Sequence, residues 1–196
     1  MTVSRHGLTT ADLAAARQRD PATVARIYSA HANTLFRFFF ASTGDEQTAE
    51  DLTGSAFADA LEALPMFRGP IEALPAWLFS IARHDLSDYR RKRSRPPTQP
   101  LDDRVEATAR TGREQDPEAV ALARLRHDDV IAACRLLPAE QREALVMRMV
   151  GLGATEIAEV VGKSPGAIKA LQRRGLAQLA RLLGTVTDDG ADGEEV

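Results

Sequence analysis

Side chains able to bind an anionic partner concentrate in two short stretches of the sequence. Residues 83–95 contain six basic residues and two acids, which gives a local charge of +4. Residues 163–181 contain five basic residues and no acid. A few cations near a helix C-terminus stabilise the helix dipole, but six among thirteen residues exceed that need. A nucleic-acid backbone is the simplest partner for such clusters.

The net charge of the whole chain conceals these two basic clusters. Over 196 residues the formal net charge is −3, and residues 188–196 carry five acids without a base. The averaged charge therefore argues weakly against a polyanionic partner, whereas the distribution of charge argues for one. A basic helix face that only meets solvent is the plain alternative for either cluster.

The stretch ATEIAEVVGKSPGAIKALQRRG, residues 154–175, contains two helical patterns separated by a tight turn. Gly162 is suited to the left-handed conformation that ends a helix. Ser164 is a good N-cap and Pro165 a good first residue, so a second helix is predicted to begin at once. This pattern is typical of a helix-turn-helix.

The second of these helices has two predicted faces. Five residues are predicted to face inward: Ile168, Leu171, Gly175, Leu176 and Leu179. The opposite face is small and basic: Ala167, Lys169, Ala170, Arg173, Arg174 and Ala177. Small side chains let a DNA major groove approach closely, while cations neutralise phosphates or donate to guanine edges. The first turn of the helix also offers free backbone donors to a phosphate.

The residue types give little support to disulfide formation, metal binding or catalysis. A single cysteine, Cys134, excludes an intramolecular disulfide and a multi-cysteine zinc site, and it is predicted to be a small buried hydrophobe. The four histidines lack ligand spacing, and no phosphate-binding glycine loop or catalytic triad is present. We therefore expect no enzyme activity, no metal and no cofactor. Without a signal peptide or a membrane-length apolar run, we expect a cytoplasmic protein with no membrane insertion.

Helical periodicity covers the first half of the chain. Asp20 and Pro21 predict a helix start, and residues 44–45 its end. Further helices are predicted over residues 47–64 and 76–93, with an irregular connection between them. Trp77 is predicted to belong to the core. One of the three consecutive phenylalanines, residues 38–40, is expected to be exposed because they span too much of the helix circumference.

The predicted fold class is all-α, with two small helical domains joined by a flexible, proline-rich and polar linker. Consecutive prolines at residues 96–97 exclude helix there. The predicted segments are an N-terminal tail (1–19), a first domain (20–95), the linker (96–117), a second domain containing the helix-turn-helix (118–184) and an acidic tail (185–196). The acidic tail is expected to be disordered, and it could compete with DNA for the basic helix.

Four motifs in fixed order carry a family resemblance over residues 20–184. They are TAEDLTGSAFADALEAL, PAWLFSIARHDLSDYRRKR, LLPAEQREALVMRMV and TEIAEVVGKSPGAIKALQRRGLAQL, with the proline-rich linker between the second and third. In this order they resemble the extracytoplasmic-function (ECF) class of bacterial RNA polymerase sigma factors. The resemblance implies a subunit that binds core polymerase, recognises −10 and −35 promoter elements and directs transcription initiation.

The resemblance also implies roles for individual residues. The surface that docks on the clamp helices of the polymerase largest subunit would include Asp51, Leu52 and Phe57. A base-pocket loop at residues 66–72 would include Phe67 and Arg68. The remaining −10 contacts would be Arg83, His84, Asp88, Arg90, Arg91 and Arg93. The −35 contacts would be Ser164, Gly166, Ala167, Lys169, Ala170, Arg173 and Arg174. Further implied partners are the polymerase flap region, promoter DNA and an anti-sigma factor.

Two departures from the family pattern weaken particular implied contacts. Gly54 and Ser55 stand where a Gln-Glu type pair is common, so two expected polymerase contacts are missing. His84 replaces the usual asparagine after IAR.

A stand-alone helix-turn-helix regulator is the alternative function, since its DNA-binding domain would have much the same sequence. The nature of the first domain distinguishes the two hypotheses.

Overall fold

The structure is a computed structural model that describes residues 7–94, 130 and 133–188, the last five of these as backbone only. Its first part contains four α-helices and two short 3-10 helices. The α-helices are α1 (Thr10–Arg17), α2 (Pro21–Thr43), α3 (Glu46–Ala63) and α4 (Leu74–Arg93). The 3-10 helices, Leu64–Met66 and Ile71–Ala73, lie between α3 and α4.

Three further helices lie entirely within the described residues of the second part: α5 (Ala139–Met149), α6 (Ala154–Val161) and α7 (Pro165–Asp188). The all-α prediction is confirmed across the described residues. The linker at residues 96–117, and the first part of the helix predicted after it, lie outside them. Helix α7 continues four residues beyond the predicted end of the second domain at residue 184.

Local capping signals account for the bounds of α2. The Asp20 carboxylate accepts a hydrogen bond from the Thr23 backbone N–H at 2.8 Å, and Pro21 occupies the first helical position. Gly44 ends the helix in the left-handed conformation, with φ at 73°. Both ends therefore lie where the sequence predicted them, because each is determined by three or four adjacent residues.

The N-terminal segment is more ordered than the predicted tail. Helix α1 begins with a reciprocal cap, in which Asp12 N–H donates to Thr9 Oγ1 and Thr9 N–H donates to Asp12 Oδ2. Hydrogen bonds from Thr9, together with the nearby Arg26 guanidinium, lower the pKa of Asp12 below its usual value. Leu13 and Ala16 are buried, so α1 is part of the first domain's core and the tail assignment is corrected from Thr9 onward.

The two predicted domains share one hydrophobic core. Helix α2 packs against α5, and α4 packs against α6. The shared cluster contains residues of both parts, among them Leu35, Phe38, Phe79, Leu86, Val146, Met147, Ile157 and Ile168. A smaller cluster lies under α1 and the 3-10 helices. The chain therefore folds with its second domain seated directly on its first.

The three consecutive phenylalanines show the effect of this packing. Phe38 and Phe39 are fully buried, and the Phe38 ring contacts Phe79 edge-on with centroids 5.3 Å apart. Phe40 is half-buried and stacks on Phe36 at 5.8 Å. None is exposed as the sequence predicted, because α2 is covered by α3 and α4 on one side and by α5 on the other.

Candidate nucleic-acid interface

Helices α6 and α7 form the predicted helix-turn-helix. Gly162 has φ at 72° and donates its N–H to Ala158 O at 2.9 Å, which ends α6. Two residues later the Ser164 hydroxyl oxygen accepts the Ala167 N–H at 3.2 Å, and Pro165 opens α7. The turn is short because one glycine and one N-cap satisfy the backbone groups that both helix ends leave unpaired.

Contacts to α5 hold this unit in position. The Gln172 side-chain amide donates to Ala144 O at 3.3 Å, and Lys163 pairs with Glu140 at 3.0 Å. Gly175 lies against Leu145 so closely that a Cβ there would stand 2.7 Å from Leu145 Cδ1. Because these contacts arise along much of α7, the helix has a defined orientation on its domain.

The exposed face of α7 is the predicted one. Its cations Lys169, Arg173 and Arg174 point outward, and none has a carboxylate partner among the described residues. Ser164 and Gly166 are exposed, while Ala167 and Ala170 are half-buried between the cations and the core. The seven predicted −35 residues are therefore on or beside one accessible face.

Leu176 corrects the predicted inward face. Ile168, Leu171 and Leu179 are buried, but Leu176 is 56% exposed. At 100° per residue, Leu176 lies roughly 80° from Ile168, beside Lys169 rather than in the centre of the buried stripe. Since α5 covers a narrower arc than the sequence pattern suggested, this leucine remains on the solvent side.

The predicted basic −10 contacts on α4 divide into two groups. His84, Arg91 and Arg93 are exposed; Arg91 pairs with Asp88 at 3.2 Å, and Arg93 donates to the Tyr89 hydroxyl at 2.7 Å. Hydrogen bonding to Tyr89 raises the pKa of Arg93 further above its already high value.

The other two, Arg83 and Arg90, are directed to the second domain. Arg83 Nε donates to Glu143 Oε2 at 3.2 Å and Arg90 Nη1 to Glu143 Oε1 at 2.8 Å. The Glu143 side chain is 8% exposed. Sequence reasoning missed Glu143, although one signal was available: it shares a helical face with Val146 and Met147, both buried.

The loop before α4 differs from the predicted base pocket. Phe67 is only 8% exposed and packs on Trp77 with ring centroids 4.8 Å apart. Arg68 is exposed and donates to Pro65 O at 2.6 Å. Phe67 is therefore a core residue here, and Arg68 is the accessible member of the predicted pair. The half-buried Trp77 fits its predicted place in the core.

The predicted polymerase surface borders an apolar groove. Asp51 is exposed and accepts a hydrogen bond from Gln47 at 3.2 Å, whereas Leu52 and Phe57 are half-buried. Phe57 packs on Tyr28 at 4.7 Å. These two rings line a groove of about 210 Å³ between α2, α3 and α4, together with Val24, Leu61, Leu64 and Trp77. The sequence offered no signal for this groove, since its walls come from three helices.

No three potential ligand side chains come together within the described ranges. Among the described helices, none combines the length and the apolar character that a membrane crossing requires.

Comparison with known families places the chain in the sigma-70 class. Residues 27–96 match the family described as Sigma-70 region 2, and residues 127–179 match Sigma-70, region 4. The first match covers α2 from residue 27 onward and all of α3 and α4, and the second contains the helix-turn-helix. Both regions therefore occur in the predicted order.

Individual relatives narrow this class. BldN of Streptomyces coelicolor is 35% identical over 162 residues, which is 81% of this chain and 59% of that protein. ShbA of Streptomyces griseus is 35% identical over 68% of this chain and 70% of its own length. SigM of Mycobacterium tuberculosis is 30% identical over 92% and 87% of the two chains. All three are ECF RNA polymerase sigma factors, and this chain belongs to that family.

Two solved structures support the same fold. CnrH, in complex with the cytosolic domain of CnrY, superposes with a TM-score of 0.62 at 24% identity over 89% of this chain and 96% of that chain. RpoE of Bartonella quintana, in complex with the anti-sigma factor NepR, gives 0.61 at 24% identity over 82% and 96%.

Proposed function

We propose that this protein is a promoter-specificity subunit of bacterial RNA polymerase. It binds core polymerase, recognises −10 and −35 elements and directs initiation, with no catalysis of its own. The observation that carries the proposal is the combination, in one chain, of a region 2 bundle and an exposed cationic face on α7. Such a subunit acts where polymerase is, in the cytoplasm.

The second domain reads the −35 element through α7. Lys169, Arg173 and Arg174 supply the cations, and a bidentate arginine at a guanine contributes about 1–3 kcal/mol of discrimination. Ser164 and Gly166 lie at the helix N-terminus, where free backbone N–H groups suit a phosphate. The smaller Ala167 and Ala170 allow the close approach.

The first domain binds polymerase and the −10 element. The proposed polymerase surface comprises Asp51, Leu52 and Phe57. The proposed −10 contacts are Arg68, Arg83, His84, Asp88, Arg90, Arg91 and Arg93. Phe67 is not among these contacts, because its side chain is in the core. An anti-sigma factor is a further proposed partner, since a structural relative of the same fold binds one.

A stand-alone regulator is not favoured by these observations. Such a protein needs its second domain only for DNA binding, and its first domain for sensing or dimerisation. Here the first domain matches a polymerase-associated region over its three long helices.

Run-off transcription tests the proposal. Core polymerase with and without the full chain is supplied with a genomic promoter library. New start sites that share two upstream elements are expected. Replacing both Arg173 and Arg174 by alanine should abolish them, whereas Arg37→Ala, an exposed cation on α2, should leave them. Duplex binding with no transcription from core polymerase would overturn the proposal.

A further inference from the structure

The α3–α4 connection, residues 64–73, is anchored in the core by side chains along its length. Leu64, Phe67 and Ile71 are all buried. The Phe67 ring contacts Trp77 with centroids 4.8 Å apart. It also lies so close to Gly69 that a Cβ there would stand 2.6 Å from Phe67 Cζ. Residue 69 therefore has to be glycine as long as the ring keeps this position.

Backbone hydrogen bonds hold the connection on both sides of Gly69. The Phe67 N–H donates to Leu64 O at 3.1 Å, and the Ala73 N–H donates to Pro70 O at 3.1 Å. Each bond closes a short turn, so the backbone between α3 and α4 has few alternative conformations. The buried anchors and the two turns together define one shape for this connection.

The remaining side chains of the α3–α4 connection are presented to solvent. Met66 is 74% exposed, although it is a large apolar residue. Arg68 is also exposed, and its guanidinium donates to Pro65 O at 2.6 Å. Unstacked bases are commonly held by apolar side chains and by arginine planes. Met66 and Arg68 therefore offer suitable groups for an unpaired base, in a position determined by the buried anchors.

Helix α1 contributes to this anchoring from a distant part of the sequence. It packs against α2 and against the 3-10 helix Leu64–Met66. Asp12 of α1 pairs with Arg26 of α2, which fixes the helix in place. One buried cluster joins the N-terminal segment to the connection, and it contains Leu8, Leu13, Ala16, Leu64, Phe67 and Ile71.

Selection of one base over another requires this kind of support. Bases differ in the donors and acceptors on their edges, so the groups that distinguish them have to be held within a fraction of an ångström. A connection that changed its conformation easily would accept several bases about equally well. The packing beneath Met66 and Arg68 therefore bears on selectivity as well as on stability.

We propose that Leu13 of α1 and Phe67 are positioning residues, which hold the α3–α4 connection in the shape that selects one unpaired base of the −10 element. Neither side chain touches DNA; both act through the exposed Met66 and Arg68. The proposal rests on the −10 contact of this connection under the proposed function. Loss of the buried packing lowers discrimination at that one base and leaves −35 recognition unchanged.

The first test measures the connection without DNA. Hydrogen exchange of a peptide covering residues 64–73 is compared with that of an α3 peptide in full-length Leu13→Ala. Exchange in the connection should become at least about threefold faster relative to α3. Leu35→Ala is the matched control, because Leu35 is equally buried but belongs to the other core cluster. Equal changes in the two variants would overturn the anchoring by α1.

The second test measures base selection with holoenzyme. Run-off transcription is recorded on promoters that carry each base in turn at every −10 position and every −35 position. Leu13→Ala should reduce the preference at one −10 position by at least about threefold, a fraction of what one good base contact contributes. Leu35→Ala should keep the preference of the parent. An unchanged preference in Leu13→Ala, or an equal loss in Leu35→Ala, would overturn the positioning role.

Two further variants keep the proposal testable if Leu13→Ala does not fold. Leu13→Met conserves volume and should retain the exchange rate and the base preference of the parent. Phe67→Leu shortens the anchor itself and should lower the preference at the same −10 position. Loss of preference in Leu13→Met, or full preference in Phe67→Leu, would contradict positioning through packing. Absent run-off products from the parent protein would instead contradict the proposed function, while the exchange rates would still decide the anchoring.

Discussion

At the scale of single residues, glycines within helices differ in the space available for a Cβ atom if alanine replaces them. Gly54 on α3 has open space around a hypothetical Cβ, whereas Gly175 on α7 lies against Leu145. The sequence presents both alike, as glycines inside helical patterns. Their opposite environments separate a dispensable glycine from one required by helix packing.

Alanine substitution at these two glycines should therefore have opposite effects. Gly54→Ala is expected to raise the free energy of unfolding by about 0.5–1 kcal/mol, because alanine loses less backbone entropy in a helix. Gly175→Ala should lower it by about 1–3 kcal/mol through overpacking against Leu145. Urea unfolding followed by circular dichroism measures both. Gly166→Ala is the control on α7, because a Cβ there would meet only Ser164 Oγ, at 4.0 Å. Equal shifts at Gly54 and Gly175 would contradict the packing argument.

Asp85 is a second residue with a specific energetic role. Its side chain on α4 is 10% exposed, and its Oδ2 atom has no hydrogen-bond partner among the described residues. Burial, and then the Asp59 charge, raise the pKa of Asp85 above its usual value. The folded protein therefore holds this proton to higher pH than the unfolded chain does. The stability from the protonated form is present at low pH and is lost as pH rises through the raised pKa.

Replacing Asp85 by asparagine tests this sign. Asp85→Asn is expected to stabilise the fold by about 1 kcal/mol at pH 7, since it removes an inadequately partnered buried charge. The difference should disappear near pH 3, where Asp85 is protonated in both states. Unfolding free energies at several pH values provide the measurement, with the exposed Asp51→Asn as control. A destabilised variant at pH 7 would contradict the assignment.

At the scale of elements, α7 is positioned by its start and by its buried face. Ser164 caps it, Gln172 ties it to α5, and Ile168 and Leu171 fill the core. The exposed cations need no further support from neighbouring side chains. Their spacing alone sets them on one accessible side.

Lys169 should act through charge rather than through base recognition. Lys169→Ala is expected to weaken −35 duplex binding to a similar extent on matched and mismatched sequences, and to reduce the slope of log affinity against log salt by about one. Titrations at several salt concentrations with holoenzyme measure this slope. Arg37→Ala provides the charge-matched control on α2. A loss confined to the matched sequence would assign Lys169 to a base instead.

At the scale of the whole molecule, the shared core makes the two domains one folding unit. Residues of α2 and α4 pack in the same cluster as residues of α5 and α6. Domains that share a core are expected to unfold together. The ion pairs of Glu143 with Arg83 and Arg90 add a polar connection at the same boundary.

Cooperative unfolding follows from this arrangement. The fluorescence of Trp77, the one tryptophan of the chain, reports on the first domain, while circular dichroism reports on helices in both. The two urea transitions of the parent protein should coincide. In Glu143→Gln they are expected to separate, because the boundary is weakened. Separate transitions in the parent would mean that the domains fold independently.

Local signals made much of the fold predictable. The cap at Asp20, the left-handed Gly44 and the turn at Gly162 lie where the sequence placed them. The basic face of α7 also follows directly from spacing. Each of these features depends on hydrogen bonds and backbone conformations within a few adjacent residues, so the sequence pattern is enough to predict it.

The sequence by itself determined the all-α class, the ends of α2, the turn between α6 and α7, and the family. Tertiary structure alone decided the burial of Phe67, the exposure of Leu176 and the engagement of Arg83 and Arg90 by Glu143. Those arginines lie 60 and 53 residues from Glu143 along the chain. Periodicity reports which side of a helix is apolar, but not which distant helix covers it. The contacts of Glu143 with these two arginines therefore depend on how the domains pack, which no local pattern of the sequence specifies.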